Sequence, residues 1–279
     1  MKLRRVLALA LTLLMVAAAF AGCSGAKSKC VILEEDFGSE SYGIGFRKGD
    51  NALTLRIQEI LDEMIADGTF AKIAANWFTG DVVLKDQTFP REITAAEGDD
   101  SLQYILDKGT LILGLDETFP PMGFRDEKGE IVGFDIDLAK EVCKRLGVEL
   151  QLQPIDWDAK EMELSGKKID CIWNGMSINE QRAENMNLSK PYLANRQVIL
   201  TGKDSGITCK ADLAGKTVAT QAGSAGLEAL QADAAVMASI ADGKAVEYKS
   251  FDEAYIDLQA GRVDAVVIDE VYARYILSK

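Results

Sequence analysis

The sequence predicts an α/β protein of two similar lobes, each a mostly parallel sheet flanked by helices. Three observations carry that expectation. Short apolar strands alternate with amphipathic helices from Thr110 onward, the pattern runs through twice, and the two runs meet at a crossing near 190–198. With 279 residues, 48% of them hydrophobic, the chain can bury real cores.

The elements follow in order. Residues 1–22 carry a basic start (Lys2, Arg4, Arg5) and an apolar run too short to span a bilayer, the pattern of an export signal. Residues 23–29 read as a tether. From Gly45, "GFRKGDNALTLRIQEILDEMIADGTFAKIAANWFTG" spells two amphipathic helices, with Leu53, Ile57, Ile60, Leu61 and Met64 in one apolar stripe expected to pack on the first lobe. Residues 85–100 are polar and aperiodic, a linker with an extended reach of roughly 50 Å.

"TLILGL" (110–115) then reads as a strand, "EIVGFD" as extended, and 136–146 as a helix. "VELQLQPI" (148–155) alternates as a strand should, 160–166 as a short helix, and "DCIWN" (170–174) as a buried strand. After the extended "RQVILTG", the second run gives strands at 216–221, 245–249 and 264–269, with helices from about Gly226, over 251–260 and over 270–277.

Composition removes several classes of function. The net charge of −13 argues against nucleic acid as a partner. There is no His, which removes Ser-His-Asp triads, His-ligated metal sites and imidazole bases together. No cofactor is implied. Cys30, Cys143, Cys171 and Cys209 show no metal-binding spacing; export permits disulfides, and Cys30 with Cys209 is the pair to test first.

Ligands of such sheets bind beyond the carboxyl ends of the strands. That singles out "NGMSINEQR" (174–182), where Arg182 offers a planar fork for a carboxylate and Ser177 a hydroxyl. It singles out "TQAGSAGLEAL" (220–230), a strand-turn-helix whose N–H groups can cradle an anion. Asp269 ends an apolar strand, where it needs a cation or serves as a helix N-cap. Phe119 and Trp157 stand on strand-end loops, as rim residues of the core or as walls around a ligand. An Arg, a helix N-terminus, an Asp and two aromatics form a recognition set for a free α-amino acid.

Several long motifs resemble the polar amino-acid-binding proteins of bacterial ABC importers. They are "GTLILGLDETFPPMGF", "GEIVGFDIDLAKEV", "KIDCIWNGMSINEQRAENMNLSKPYL", "LAGKTVATQAGSAGLEAL", "GRVDAVVIDEVYARY" and "YGIGFRKGDN…DGTFAKIAANWF". The resemblance implies a type II periplasmic-binding-protein clamshell. Arg182 would clamp the α-carboxylate with Ser177, Ser224 and Ala225. Asp269 and the Gly175 carbonyl would hold the ammonium, and Phe119 and Trp157 would flank the side chain. Asp116, Asn174 and Gln221 would read its tip, with Met176 in the same wall. Asn179 stands where the family often has Thr or Ser. Asp116 leans the ligand toward Arg, Lys, His, Gln or cystine.

The same resemblance implies an ABC permease as partner, a monomer in solution, and a position outside the cytoplasmic membrane. Phe20-Ala21-Gly22-Cys23 resembles a lipobox, which would anchor the protein to the membrane through Cys23. Family members ordinarily begin with the "GTLILGL" strand and end with the "YGIGFRKGDN…WF" module, so this chain reads as circularly permuted, cut between the equivalents of Lys279 and Lys29. Lobe 1 is expected over 44–194, including the linker, and lobe 2 over 30–41 and 197–279. Crossings at Ser41–Ile44 and Ala194–Gln197 would form the hinge. Two other functions fit this fold: a dehydratase, for which Glu117 or Glu161 would be the proton donor, and an amino-acid sensor.

Overall fold

The computed structural model describes residues 29–80 and 82–279. The export segment 1–22 and Cys23 lie outside the described residues.

The centre of the molecule is the antiparallel pair of β1 (Cys30–Arg47) and β9 (Leu193–Gly202), in register from Cys30↔Gly202 to Tyr42↔Leu193 with two shifts between Ile32 and Ser39. On one side, β1 passes its Tyr42–Phe46 end to β7 (Cys171–Ser177), which continues in parallel to β2 (Thr110–Leu115) and β6 (Glu149–Pro154). On the other, β9 pairs antiparallel with β12 (Ala265–Asp269), which continues in parallel to β10 (Val218–Gln221) and β11 (Val246–Tyr248). β8 (Met186–Leu188) pairs with β1. Two parallel half-sheets are thus joined by two long antiparallel strands, and each half-sheet is a lobe. The expected hinge crossings fall inside this pair, where Ser41 faces Ala194.

Every residue of β7, β10 and β12 is buried, which explains why these strands read as continuous apolar runs rather than alternating ones. Lobe 1 is covered by α1 (Asn51–Ala66), α2 (Thr69–Trp77), α3 (Ser101–Lys108) and α4 (Phe134–Leu146). The stripe Leu53, Ile57, Ile60, Leu61 and Met64 is buried and shares one cluster with Leu113 and Trp173. Burial of each such side chain contributes about 1.5–3 kcal/mol. On the opposite face of the same sheet lie α5 (Lys160–Ser165) and α6 (Glu180–Asn185), with Leu164, Ile169, Ile172 and Met186 between. In lobe 2, α7 (Ala225–Ala232) and α8 (Ala234–Ser239) close a cluster around Ile199, Leu230 and Val267. The other face is covered by α9 (Phe251–Gln259) and α10 (Glu270–Leu277), whose Phe251, Ala254 and Ala273 are buried.

Sequence periodicity alone leaves α3 and two strands of a small antiparallel sheet, β3 (Thr118–Phe119) and β4 (Gly123–Arg125), unassigned; its third strand, β5 (Ile131–Val132), lies in the extended "EIVGFD". The reason is that α3 buries only Ser101 and Ile105, and the small strands are too short to show a period. Residues 85–100 form no helix or strand.

The Cys30–Cys209 pair is not formed. Cys209 is a free thiol at the start of a 3-10 turn, its Sγ 3.5 Å from Asp212 Oδ2. Cys143 and Cys171 are free and buried, and burial pushes the Cys143 thiol up to about 12. Among the described residues no helix is long and apolar enough to cross a membrane.

Because α1 shares its core with lobe 1, it belongs to that lobe's folding unit. Ile60→Ala is expected to lower unfolding stability by about 2–5 kcal/mol in a urea titration; a change below about 0.5 kcal/mol would mean that the helix packs only peripherally.

Candidate functional site

Where the carboxyl ends of both half-sheets face one another, the lobes close tightly on a cleft whose free volume is only about 10 Å³, room for about one water. Eleven of the twelve sequence-predicted residues line it, joined by Phe251. Met176 does not line it. Its side chain instead joins Ile172 and Met186 in the apolar cluster beneath Gly45, so its assignment to the wall is corrected.

Lobe 1 supplies the end of β2. Asp116 is buried; its Oδ1 accepts from Thr118 N (2.9 Å) and Thr118 Oγ1 (2.6 Å), and its Oδ2 accepts from Gln221 Nε2 across the cleft at 2.6 Å. Burial pushes this carboxyl up despite those donors. Gln221 also donates to Lys249 O at 2.9 Å. Asn174 accepts from the Asp116 N–H at 3.1 Å, while its buried Nδ2 has no protein partner.

Gly175 interrupts β7 with φ +58, a conformation that L side chains rarely adopt, and a Cβ there would sit 2.7 Å from Phe119 Cε1. Its N–H donates to Asp135 Oδ2 at 2.7 Å, and Tyr192 Oη donates to the same carboxyl at 2.9 and 3.0 Å. Asp135 stands in the first turn of α4, fully buried, and burial pushes its carboxyl up to about 7. It orients the Gly175 peptide from behind.

Arg182 is 2% exposed, so its charge must be met within the protein. Nη1 donates to Ser177 O at 2.7 Å, and Nη2 to Glu228 Oε1 of lobe 2 at 3.0 Å. Asn179 is the N-cap of α6, accepting from Arg182 N at 2.8 Å, and its Nδ2 reaches Glu228 Oε2 at 2.6 Å. The role that the sequence left open for Asn179 is therefore twofold: it caps the helix that carries Arg182 and joins that helix to the other lobe.

Trp157 lies in a 3-10 turn against Lys160, whose buried Nζ is 5.1 Å from the indole centroid and donates to Gly223 O of lobe 2 at 2.8 Å. Burial, and then the Arg182 charge, lower the Lys160 ammonium to about 8. Gly223 has φ +63, and a Cβ there would come within 2.9 Å of Asp158 Cα, so the lobes approach through bare backbone. Phe119 stacks on Tyr272 of lobe 2 (centroids 5.6 Å apart, 25°) and lies 5.9 Å from Phe251.

Lobe 2 supplies Ser224, the N-cap of α7, which accepts from Leu227 N at 3.2 Å and donates to Gln221 O at 2.7 Å. Ala225 opens that helix. Asp269 ends β12, buried, and makes no side-chain cap bond to α10. Its Oδ1 instead accepts from Tyr42 Oη (2.6 Å) and Asn195 Nδ2 (2.7 Å). Burial and then Glu40 push this carboxyl well above the ordinary range.

Sequence reasoning missed Glu40, Asp135, Lys160 and Glu228. Asp135 could have been found, since it interrupts the apolar Phe134–Ile136 pair at the head of an amphipathic helix. The other three act through partners far along the chain and leave no local signal. Among the described residues no cluster of His, Cys, Asp or Glu could hold a metal ion.

With this geometry, residues 111–244 match the family described as "Bacterial extracellular solute-binding proteins, family 3". A Streptococcus pneumoniae ABC uptake transporter substrate-binding protein with bound histidine is 42% identical, with a TM-score of 0.63, over 66% of this chain and 74% of that one. The chain belongs to this solute-binding family. The holo form of ArgBP from T. maritima is 42% identical over 63% of this chain and 76% of its own, with a TM-score of 0.58. The L-cystine-binding protein TcyJ of Escherichia coli is 30% identical over 64% of this chain, and the lysine/arginine/ornithine-binding periplasmic protein of the same species is 37% identical over 59%. The match spans 65% of the cystine relative's length and 62% of the other's. The structures establish the fold as the two-lobed type II form.

The buried carboxyls make a prediction about pH. Asp135 in the fold holds a proton up to about 7, whereas unfolded it loses it near 4. The folded state therefore binds more protons in that window, and its stability falls as pH rises from about 4 to about 7. Asp269 and Asp116 shift in the same direction. Asp135→Asn is expected to flatten part of the decline in a melting-temperature profile, and an unchanged slope would show that Asp135 is ionised throughout.

Proposed function

We propose that this exported protein closes its two lobes on a free α-amino acid and presents it to an ABC importer. One observation carries the reading: a buried guanidinium from lobe 1 and a buried carboxylate from lobe 2, Arg182 and Asp269, face the same small cleft between aromatic walls. Arg182 pairs with the α-carboxylate, aided by Ser177 and the N-terminus of α7 at Ser224 and Ala225. Asp269 and the Gly175 carbonyl hold the α-ammonium. Phe119 and Trp157 flank the side chain, and Asp116, Asn174 and Gln221 read its tip. The unpartnered Asn174 Nδ2 is a donor ready for a ligand acceptor.

A polar or cationic amino acid fits best, because Asp116 brings an acceptor to the side-chain end of the cleft. The printed names of the relatives, covering cystine, histidine and basic amino acids, agree with that class. A thermal-shift panel of the twenty amino acids plus cystine identifies the ligand, since binding raises apparent stability by mass action. The dehydratase reading loses support because its candidate acids are elsewhere: Glu117 pairs with Arg125, Glu161 takes Asn185 on the surface, and neither lines the cleft. The reading includes a monomer anchored through a lipid on Cys23.

It also includes a permuted chain order. β1 stands first in the described chain yet is the central strand, and α10 packs against it, which suits a fold whose ordinary connection runs from α10 into β1. A rearranged chain in which 101–279 precedes 29–84 is expected to fold and show the same amino-acid preference. Failure of that arrangement to fold would overturn the assigned order.

Arg182→Ala and Asp269→Ala are each expected to weaken amino-acid binding by a hundredfold or more, since each leaves a ligand charge buried without its partner. Calorimetry on variants with unchanged circular dichroism reads this. Unaltered affinity in either would place the ligand elsewhere.

A further inference from the structure

Glu40 lies on β1 in the strand pair that joins the lobes, behind the cleft rather than in its wall. Its Oε1 accepts from Ser177 Oγ at 2.8 Å, Asn195 Nδ2 at 2.6 Å and Gln197 Nε2 at 2.9 Å. Asn195 Nδ2 also donates to Asp269 Oδ1 at 2.7 Å, so a single amide nitrogen bridges the two carboxyls. Two carboxyls so close, Asp269 buried and Glu40 half-buried, do not both ionise without a cation beside them, and one keeps a proton.

The groups around the pair supply no such cation. Tyr42 on β1 donates a neutral hydroxyl. Arg182 of α6 is engaged by Ser177 O and by Glu228 of α7. Asp135 and Tyr192 lie behind Gly175. Glu270, next to Asp269, is held outward by Arg196 and Arg274, and Arg196 also takes Asp36. Among the described residues no basic side chain bonds to Glu40 or Asp269.

We propose that Glu40 is a positioning residue that makes ammonium capture proton-linked: the Glu40–Asp269 pair holds one proton until a primary ammonium settles against Asp269, and then releases it to solvent. The inference rests on the amino-acid-binding reading above and sharpens its substrate class to compounds bearing a cationic nitrogen beside the carboxylate. A 2-oxo or 2-hydroxy acid brings no cation and cannot displace the proton.

The test is calorimetry with L-arginine and L-glutamine, whose side chains do not titrate between about pH 5 and about pH 8, in pairs of buffers of different ionisation enthalpy. For the parent protein, proton release approaching one per ligand is expected in the acid part of the range, with affinity rising up to about tenfold per pH unit there. In Glu40→Gln the release shrinks, and the ratio of variant to parent dissociation constants changes by at least about fivefold across the range. Glu40→Asp, which keeps the charge, retains the release.

A merely structural role would lower affinity by one factor at every pH. A constant ratio, or no proton release by the parent protein in any buffer pair, overturns the inference while leaving the binding function standing; the parent measurement decides this even where a variant fails to fold. If no amino acid in the thermal-shift panel binds at all, the binding function falls and takes this inference with it.

Discussion

The pairing of β1 with β9 is the constraint on which the rest depends. These two strands are the bridge between half-sheets, and their Ser39–Tyr42 and Leu193–Arg196 stretches pair directly behind the cleft. Tyr42, Asn195, Gln197 and Glu40 therefore reach the site from the bridge itself. Any rotation of one lobe against the other twists the segment that carries the partners of Asp269. In the proposed function, ligand chemistry and lobe geometry share the same few hydrogen bonds, as hinge closure biased by ligand contacts requires.

Closure in this molecule has its own contacts beside those with ligand. Lys160 reaches Gly223 O, Arg182 and Asn179 both reach Glu228, Gln221 reaches Asp116, and Phe119 stacks on Tyr272. Each pair has one member in each lobe. In the proposed binding mode Arg182 is shared between closing the lobes and meeting the ligand's carboxylate, and its fork has donors enough for both. The buried cations of the cleft, Arg182 and Lys160, come from lobe 1, so opening the lobes parts them from the acceptors of lobe 2. A ligand carboxylate that completes the set around Arg182 shifts the balance toward the closed form.

Much of this was legible in the sequence. Strand ends can be read from apolar runs, and in a parallel half-sheet the strand ends define the cleft, which is why Arg182 and Asp269 could be singled out from the residues themselves, whereas Asp116, Asn174 and Gln221 were named through the resemblance to the solute-binding family. Asp269 illustrates the limit. Its position admits an N-cap or a cation partner with equal ease, and only the geometry shows the carboxylate turned away from α10 toward Tyr42 and Asn195. Met176 was misplaced because its neighbours Asn174, Gly175 and Ser177 do line the cleft, and only the packing shows its side chain turned into the cluster with Ile172 and Met186. Glu40, Lys160 and Glu228 were missed for a different reason: their meaning lies in partners at the far side of the sequence, and a single charged residue on a strand or helix looks like a solvated one.

Chain order is the cheapest property of such a fold to change. The strand pairs and the α1 stripe depend on where segments lie, not on the order in which the chain visits them. Closing a flexible connection as long as 85–100 costs about 2–3 kcal/mol of entropy, and doubling it adds only about 0.6 kcal/mol. One buried side chain such as Ile60 is worth as much as the whole connection. A sequence can therefore move β1, α1 and α2 from one end of the chain to the other at the cost of a linker, whereas it cannot give up their contacts. That inequality makes the proposed permuted order physically ordinary. It also explains how a module with no side chain in the cleft wall still belongs to the proposed binding machinery: it contributes the strand through which the two lobes and the proposed ammonium site are joined.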